Sequence, residues 1–409
     1  MFVAWRDLRF AKGRFALMGT VIVLITVLVG LLSGLTAGLG RENTSAITAL
    51  PADHLVFSAP ADGRDVTFTD SRLTERTVRA WARVPGVRHA DPLGITTTKA
   101  ESGGRTAAVS LFGVQPGSAA APARVGDGAV VLSAKAAASL GARAGGTLTL
   151  GGRTVRVAAV SGAAMYAHTP VVWTSLEDWR RLAGGAGAAA GARPAPGDQA
   201  ASGGRPASAG HGTSASHGTS EGTGASKGMG ASEGTGASDD ATGATVLALS
   251  TSGTAGLAAA DRALGTKTVA ADDALQAIGS YAAENGSLQL MRGFLFAISA
   301  LVIGAFFTVW TIQRGGDVAV LKALGASTRS LLRDALGQAV VLLVGGTVLG
   351  SALVAAVGAG IGGTVPFVLA PATVLAPALI MIALGAAGAA LAIRRITSVD
   401  PLTALGSAR

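Results

Sequence analysis

Residues 335–393 read ALGQAVVLLVGGTVLGSALVAAVGAGIGGTVPFVLAPATVLAPALIMIALGAAGAALAI, 59 residues without one charged side chain. A helix crosses about 30 Å of hydrocarbon with about 20 apolar residues. The stretch is therefore long enough for two spans. Gly362, Gly363, Pro366, Pro371 and Pro377 mark the break between them, because glycine and proline punctuate helices. The expected helices cover 335–361 and 372–393, joined by an external loop at 362–371.

Two more apolar runs lie upstream. Between Arg14 and Arg41 there are 26 uncharged residues, 15–40, and between Arg292 and Arg314 the run GFLFAISALVIGAFFTVWTIQ is uncharged as well. A cleaved signal peptide is the competing reading of the first run. Signal h-regions cover about 7–15 residues, and this run is far longer, so a retained span is expected. The chain is thus read as an integral membrane α-helical protein with four transmembrane helices. Charged residues make up only 14% of it and mean hydropathy is +0.48, against about 25% charge in a soluble domain. The many small residues suit close helix–helix approach in a bilayer.

The net charge is +9, and its placement matters more than its size. Eleven bases flank the runs on one side: Arg6, Arg9, Lys12, Arg14, Arg314, Lys322, Arg329, Arg333, Arg394, Arg395 and Arg409. Only Asp7, Asp317, Asp334 and Asp400 oppose them. Bases crowded beside apolar runs define the cytoplasmic side, so both termini are expected there, in the plasma membrane. A nucleic-acid surface would place its bases on a soluble face with exposed aromatics, so no nucleic-acid partner is expected. The chain has no cysteine, which removes disulfides, thiolate metal sites and a cysteine nucleophile.

The expected order is an amphipathic helix at 1–14, span 1 at 15–40, an extracytoplasmic α+β domain at 41–290 and span 2 at 291–313. A cytoplasmic segment at 314–334, spans 3 and 4, and a cytoplasmic tail at 394–409 follow. Within the domain, 54–59, 107–114, 129–133, 147–150 and 154–160 read as strands rich in β-branched residues. Residues 71–84, 133–141, 175–183 and 271–290 read as helices, the first with Leu73, Thr77, Ala80, Trp81 and Val84 on one face. The Gly/Ala/Ser/Thr tract at 184–243, with near-repeats such as SHGTSEGTGAS, is read as a disordered insertion, since it has too little apolar surface to offset its ordering entropy. His211, His217 and Met229 within it lack metal-ligand spacing. There is no GxxxxGK[ST] phosphate loop and no HExxH zinc helix, so the residues offer no positive sign of an enzyme, and no resident cofactor or metal is expected.

Residues 313–338, QRGGDVAVLKALGASTRSLLRDALGQ, place Val318, Leu321, Leu324, Leu331 and Leu332 on an apolar face. The residues alone fit either a docking helix or a helix lying on lipid. DVAVLKALGAS (317–327) resembles the signature of the FtsX-like, MacB-type ABC transporter permeases. GAVVLSAKAAASLGARAGGTLTLGGRTVRVAAV (128–160) resembles that family's external core domain, and RRITSVDPLTALGSA (394–408) its cytoplasmic tail. The resemblance implies a homodimeric permease driven by two copies of a separate ABC ATPase, with no ATPase activity of its own. It further implies that Val318, Leu321, Lys322, Ala323, Leu324 and Gly325 couple to that ATPase.

WRDLRFAKGRF (5–15), YAHTPVVWTSLEDW (166–179) and 284–314 are similar to the haem-exporter (HrtB/DevC-like) branch, which implies export of haem. Tyr281, Glu284, Leu288 and Met291 share one helical face, and tyrosine and methionine are haem ligands. Packing of this face against a dimer partner is the alternative. Met165, Tyr166 and His168 are a second ligand set. Other readings are a mechanotransmitter acting on a cell-wall hydrolase, an exporter of peptides or lipids, and a membrane-anchored enzyme.

Overall fold

Helix α1 (Lys12–Thr48) is one unbroken helix of 37 residues. At 1.5 Å per residue it measures about 55 Å, well beyond the thickness of the hydrocarbon. It continues through Arg41–Thr48, and Ala46 and Ile47 in this extension are buried in the core of a β domain. Pro51 lies just beyond its end and biases the preceding residue against helix. The computed structural model describes residues 12–61, 63–190, 241–254, 256–313, 325, 327–361 and 365–397. The amphipathic helix expected at 1–14 lies outside these residues except for Lys12–Arg14, which belong to α1.

The β domain begins with β1 (His54–Ser58), β2 (Leu73–Thr74), α2 (Glu75–Trp81), β3 (Val87–Ser102) and β4 (Arg105–Val114). It continues with β5 (Ala129–Leu132), α3 (Ala134–Leu140), β6 (Thr147–Leu150), β7 (Arg153–Val160), β8 (Met165–Tyr166), β9 (Thr169–Ser175) and α4 (Leu176–Ala190). β10 (Thr242–Ala244), β11 (Val246–Thr251), α5 (Leu257–Leu264) and β12 (Thr266–Ala270) complete it. Of the tract expected to be disordered, 184–190 extend α4 and Thr242–Gly243 open β10; residues 191–240, with His211, His217 and Met229, lie outside the described residues.

The main sheet runs β12-β1-β11-β3-β4-β9-β5-β7-β6, with β8 beside β9, and a β3–β6 pairing links its far end back on itself. β3 joins the two halves. Its first part pairs with β11 (Val246↔Leu93) and its second with β4 (Gly94↔Gly113). Trp179 of α4 lies flat over that glycine pair: a Cβ on Gly94 would come within 2.2 Å of its ring, and one on Gly113 within 2.4 Å of its Cβ. Local caps agree with this fold. Ser133 accepts from the Ala136 N–H at the start of α3, and Gly141 closes it at φ 63°, a conformation that costs glycine little.

The membrane part is completed by α6 (Gly279–Gln313), α7 (Thr328–Ile361) and α8 (Pro371–Thr397). Helices α1, α6, α7 and α8 are each long and apolar enough to cross a bilayer. The helix expected over 271–290 is divided. Asp273–Ala277 form a 3-10 turn and Ile278 is extended (φ −82°, ψ 106°), after which α6 starts at Gly279 rather than near 291. Pro377, expected at the break before span 4, sits inside α8, where bilayer helices tolerate the lost hydrogen bond.

Helices α1 and α7 pack through glycines. A Cβ on Gly346 would lie 2.7 Å from Ile22, one on Gly350 2.7 Å from Thr26, and one on Gly30 2.6 Å from Val354. The α7–α8 connection folds back into the same seam. Phe367 fills a slot between Gly34 and Gly358, the Val368 N–H donates to the Gly34 carbonyl at 3.1 Å, and Gly38 abuts the Pro366 carbonyl. Gly38→Ala would drive a methyl into that backbone oxygen, which no rotamer relieves. A loss of about 1–3 kcal/mol is expected from the overpacking, seen as a lower thermal midpoint of the detergent-solubilised chain. Gly19→Ala, whose Cβ meets nothing within 4 Å, should leave the midpoint unchanged or raise it, because alanine is the better helix former.

Candidate functional site at the helix–domain junction

The outer ends of α1 and α6 meet the β8–β9 hairpin at one polar cluster. Asn43 of α1 is buried at 1% exposure. Its Nδ2 donates to Glu284 Oε2 at 3.0 Å, and its Oδ1 accepts from Ser280 Oγ at 2.6 Å. Both Ser280 and Glu284 lie on α6, so one amide cross-links the two helices. His168 at the hairpin tip completes the cluster, with Nε2 2.9 Å from Glu284 Oε1 and 2.9 Å from Asn43 Nδ2. With a proton on Nε2, His168 donates to the carboxylate, and its contact with Asn43 Nδ2 is then a close approach of two donors that share Glu284 as their acceptor. Its Nδ1 is 3.9 Å from Glu42 Oε2, and Glu42 also pairs with Lys135 of α3.

The hairpin tip is conformationally unusual. Ala167 and His168 both have positive φ, 47° and 61°. A two-residue turn with this geometry favours Asn-Gly, and non-glycine residues in it cost of order 1–3 kcal/mol each. Two backbone bonds hold the strained turn against α1: the Ala167 N–H donates to the Asn43 carbonyl at 3.1 Å and the His168 N–H to that of Glu42 at 3.3 Å. The imidazole is thereby aimed at Glu284.

The residues expected to bind haem divide into three groups. Glu284 and His168, from the two separate ligand sets, form one hydrogen-bonded cluster. Tyr281 is half-buried and packs on the domain core, its ring beside Gly40 of α1. Leu288 is half-buried and Met291 is 52% exposed. Met165 and Tyr166 are buried, with the Tyr166 ring edge-on to Phe68 and Phe112. Burial pushes the Tyr166 hydroxyl well above the ordinary tyrosine range, which opposes phenolate ligation. Beyond Met291, the residues Phe294, Ile298, Leu301, Val309 and Ile312 are exposed along α6, the least covered of the four apolar helices. Asn43 and Ser280 escaped the sequence reading; asparagine and serine at a helix end carry no signal by themselves. Of the residues expected to couple to an ATPase, Gly325 has φ 94°, while Val318, Leu321, Lys322, Ala323 and Leu324 lie outside the described residues. α7 begins at Thr328, so 328–334 belong to that helix.

Comparison with known proteins fits this architecture. Residues 15–202 match the MacB-like periplasmic core domain and residues 290–401 the FtsX-like permease C-terminal domain. The chain belongs to the FtsX-like, MacB-type permeases of ABC transporters. It is membrane-embedded, with an extracytoplasmic α+β domain, and the family implies an ATPase partner. One full-length relative is a Staphylococcus haemolyticus protein named as a hemin transport system permease, HrtB, 23% identical over 414 residues and 99% of each chain. An ABC transporter permease of Mycobacterium tuberculosis is 26% identical over 422 residues, again 99% of each. The periplasmic region of MacB from Actinobacillus actinomycetemcomitans overlays 59% of this chain and 98% of its own at 10% identity and a TM-score of 0.33.

A double-mutant cycle tests the cluster. His168→Ala and Glu284→Gln, separately and together, should show a coupling of about 0.5–3 kcal/mol in stability, the range for groups in direct contact. Additive effects would mean that the pair does not hold the hairpin to α6.

Proposed function

We propose that the chain is the permease subunit of an exporter that expels an amphipathic substrate, haem in the first place. Power comes from a separate ATPase. The observation that carries this reading is the bare apolar stripe of α6, which ends at its outer boundary in a thioether and a carboxylate. A porphyrin is a flat apolar plate with an axial metal and anionic edges. Leu288 and Phe294 offer it apolar contact, Met291 an axial thioether, and Glu284 an oxygen ligand for ferric iron. Tyr281 acts here through packing. The similarity to a protein named for hemin transport supports the same cargo.

In this reading two permeases face each other across their α6 stripes, which explains why that helix is left uncovered by its own bundle. The termini are cytoplasmic, as the flanking bases favour, in the plasma membrane. Two ATPase copies act through Val318, Leu321, Lys322, Ala323, Leu324 and Gly325. Ligation by Glu284 competes with His168 for the same carboxylate, so cargo entry loosens the hairpin from α6 and links binding to movement of the domain. A mechanotransmitter is the second reading, favoured by the unbroken passage of α1 and α6 from bilayer to domain.

Haem titration of the purified chain in detergent, followed by absorbance, separates these readings. A stoichiometric Soret shift is expected for the wild type, weakened in Met291→Ala and Glu284→Gln. No shift in the wild type would remove haem and favour signalling. Leu321→Asp in the reconstituted complex should abolish export while leaving haem binding intact. Unchanged transport in vesicles would overturn the coupling assignment.

A further inference from the structure

A second site lies at the same junction, away from the α6 stripe. A cavity of about 430 Å³ opens between the outer end of α1, the β domain and the α7–α8 connection. One side carries two cations, Arg41 and Lys135, and the carboxylate of Glu42; the other is apolar, formed by Val365, Pro366, Phe367 and Val368. Lys135 is neutralised by Glu42. Ser45 Oγ is taken up by the Met165 backbone, accepting from its N–H at 2.9 Å. Arg41 has no ion pair or side-chain hydrogen bond among the described residues. The positive charge left over in the cavity is therefore the Arg41 guanidinium.

We infer that this cavity is a binding site for an amphiphile with an anionic phosphate head, supplied by a phospholipid of the surrounding membrane. Arg41 follows directly on the 26-residue uncharged run, which puts its guanidinium at head-group depth. A guanidinium presents paired N–H donors that match phosphate oxygens. The apolar wall takes the glycerol end and first methylenes of the acyl chains. That wall is held in shape by the seat of Phe367 between Gly34 and Gly358 and by the Val368–Gly34 hydrogen bond. The volume suits a head group and the start of its chains, since small-ligand pockets run about 300–1,000 Å³. A lipid bound there touches α1, the domain and the α7–α8 connection at once, and ties the three together. The site rests on the membrane placement of the chain and is independent of haem as cargo.

Native mass spectrometry of the full-length chain, titrated with phosphatidylglycerol in a zwitterionic detergent, tests it. One phosphatidylglycerol per chain is expected to survive detergent removal. Arg41→Gln should weaken that binding about tenfold or more, the scale of one charge-assisted hydrogen-bonded pair. Arg292→Gln, a cation on α6 that does not line the cavity, should bind as the wild type does. The thermal midpoints of all three chains without added lipid monitor folding. Equal retention in Arg41→Gln and the wild type would overturn the assignment. So would equal retention of phosphatidylcholine, which shows that the head charge is not read. Displacement by millimolar inorganic phosphate would assign the site to a free anion and exclude the lipid.

Discussion

Two helices that do not stop at the bilayer surface govern this structure. α1 runs to Thr48 and α6 starts at Gly279, so both enter the extracytoplasmic domain as rigid rods, not as linkers. Where they cross, Asn43 is buried and must find partners, because an unpaired buried amide costs about 1–3 kcal/mol. It finds them on α6, in Ser280 and Glu284. The β8–β9 hairpin is then drawn onto the same cluster through His168 and two backbone hydrogen bonds. Together with Ala46 and Ile47, buried in the domain core, and Tyr281 packed on it, these contacts hold the domain against the two helices.

Packing inside the bilayer obeys a different rule. Lipid chains are as apolar as leucine, so helices gain from close backbone approach and not from burying apolar surface. The repeated glycines of α1 and α7 provide that approach, and the seam is wide enough at its outer end to admit Phe367. The result is asymmetric. α1 is the most covered of the four apolar helices, whereas α6 is the least covered and keeps an apolar stripe open. A helix tied to the domain at one end, buried along one face by Ile303 and Phe307 and bare along the other, is suited to receive a cargo or a second subunit.

Strand β3 shows where local reading fails. VRHADPLGITTTKAES (87–102) contains Asp91, Pro92 and Gly94, residues that normally argue against a strand. It nevertheless forms the longest strand in the domain and joins both halves of the sheet. The Gly94–Gly113 pair is stabilised from outside by the Trp179 ring, whose Nε1 donates to Thr96 Oγ1 at 3.0 Å. Nothing within 87–102 announces a tryptophan 85 residues away. By contrast, α3 was legible to within a residue, since Ser133 and Gly141 act as caps through their own immediate neighbours.

The sequence by itself determined the four apolar helices and the family. Transfer of a side chain from water to hydrocarbon depends on that side chain, and the resembling motifs are contiguous. It also marked Glu284 and His168, but in separate candidate sets. Only the tertiary structure decided that they share a hydrogen bond 116 residues apart along the chain. Only it decided that Tyr166 is closed inside the core, that Tyr281 packs against Gly40, and that Arg41 stands over a cavity. A hydrogen bond or a cavity exists only between surfaces that folding has brought together, and no local property of either partner records the other.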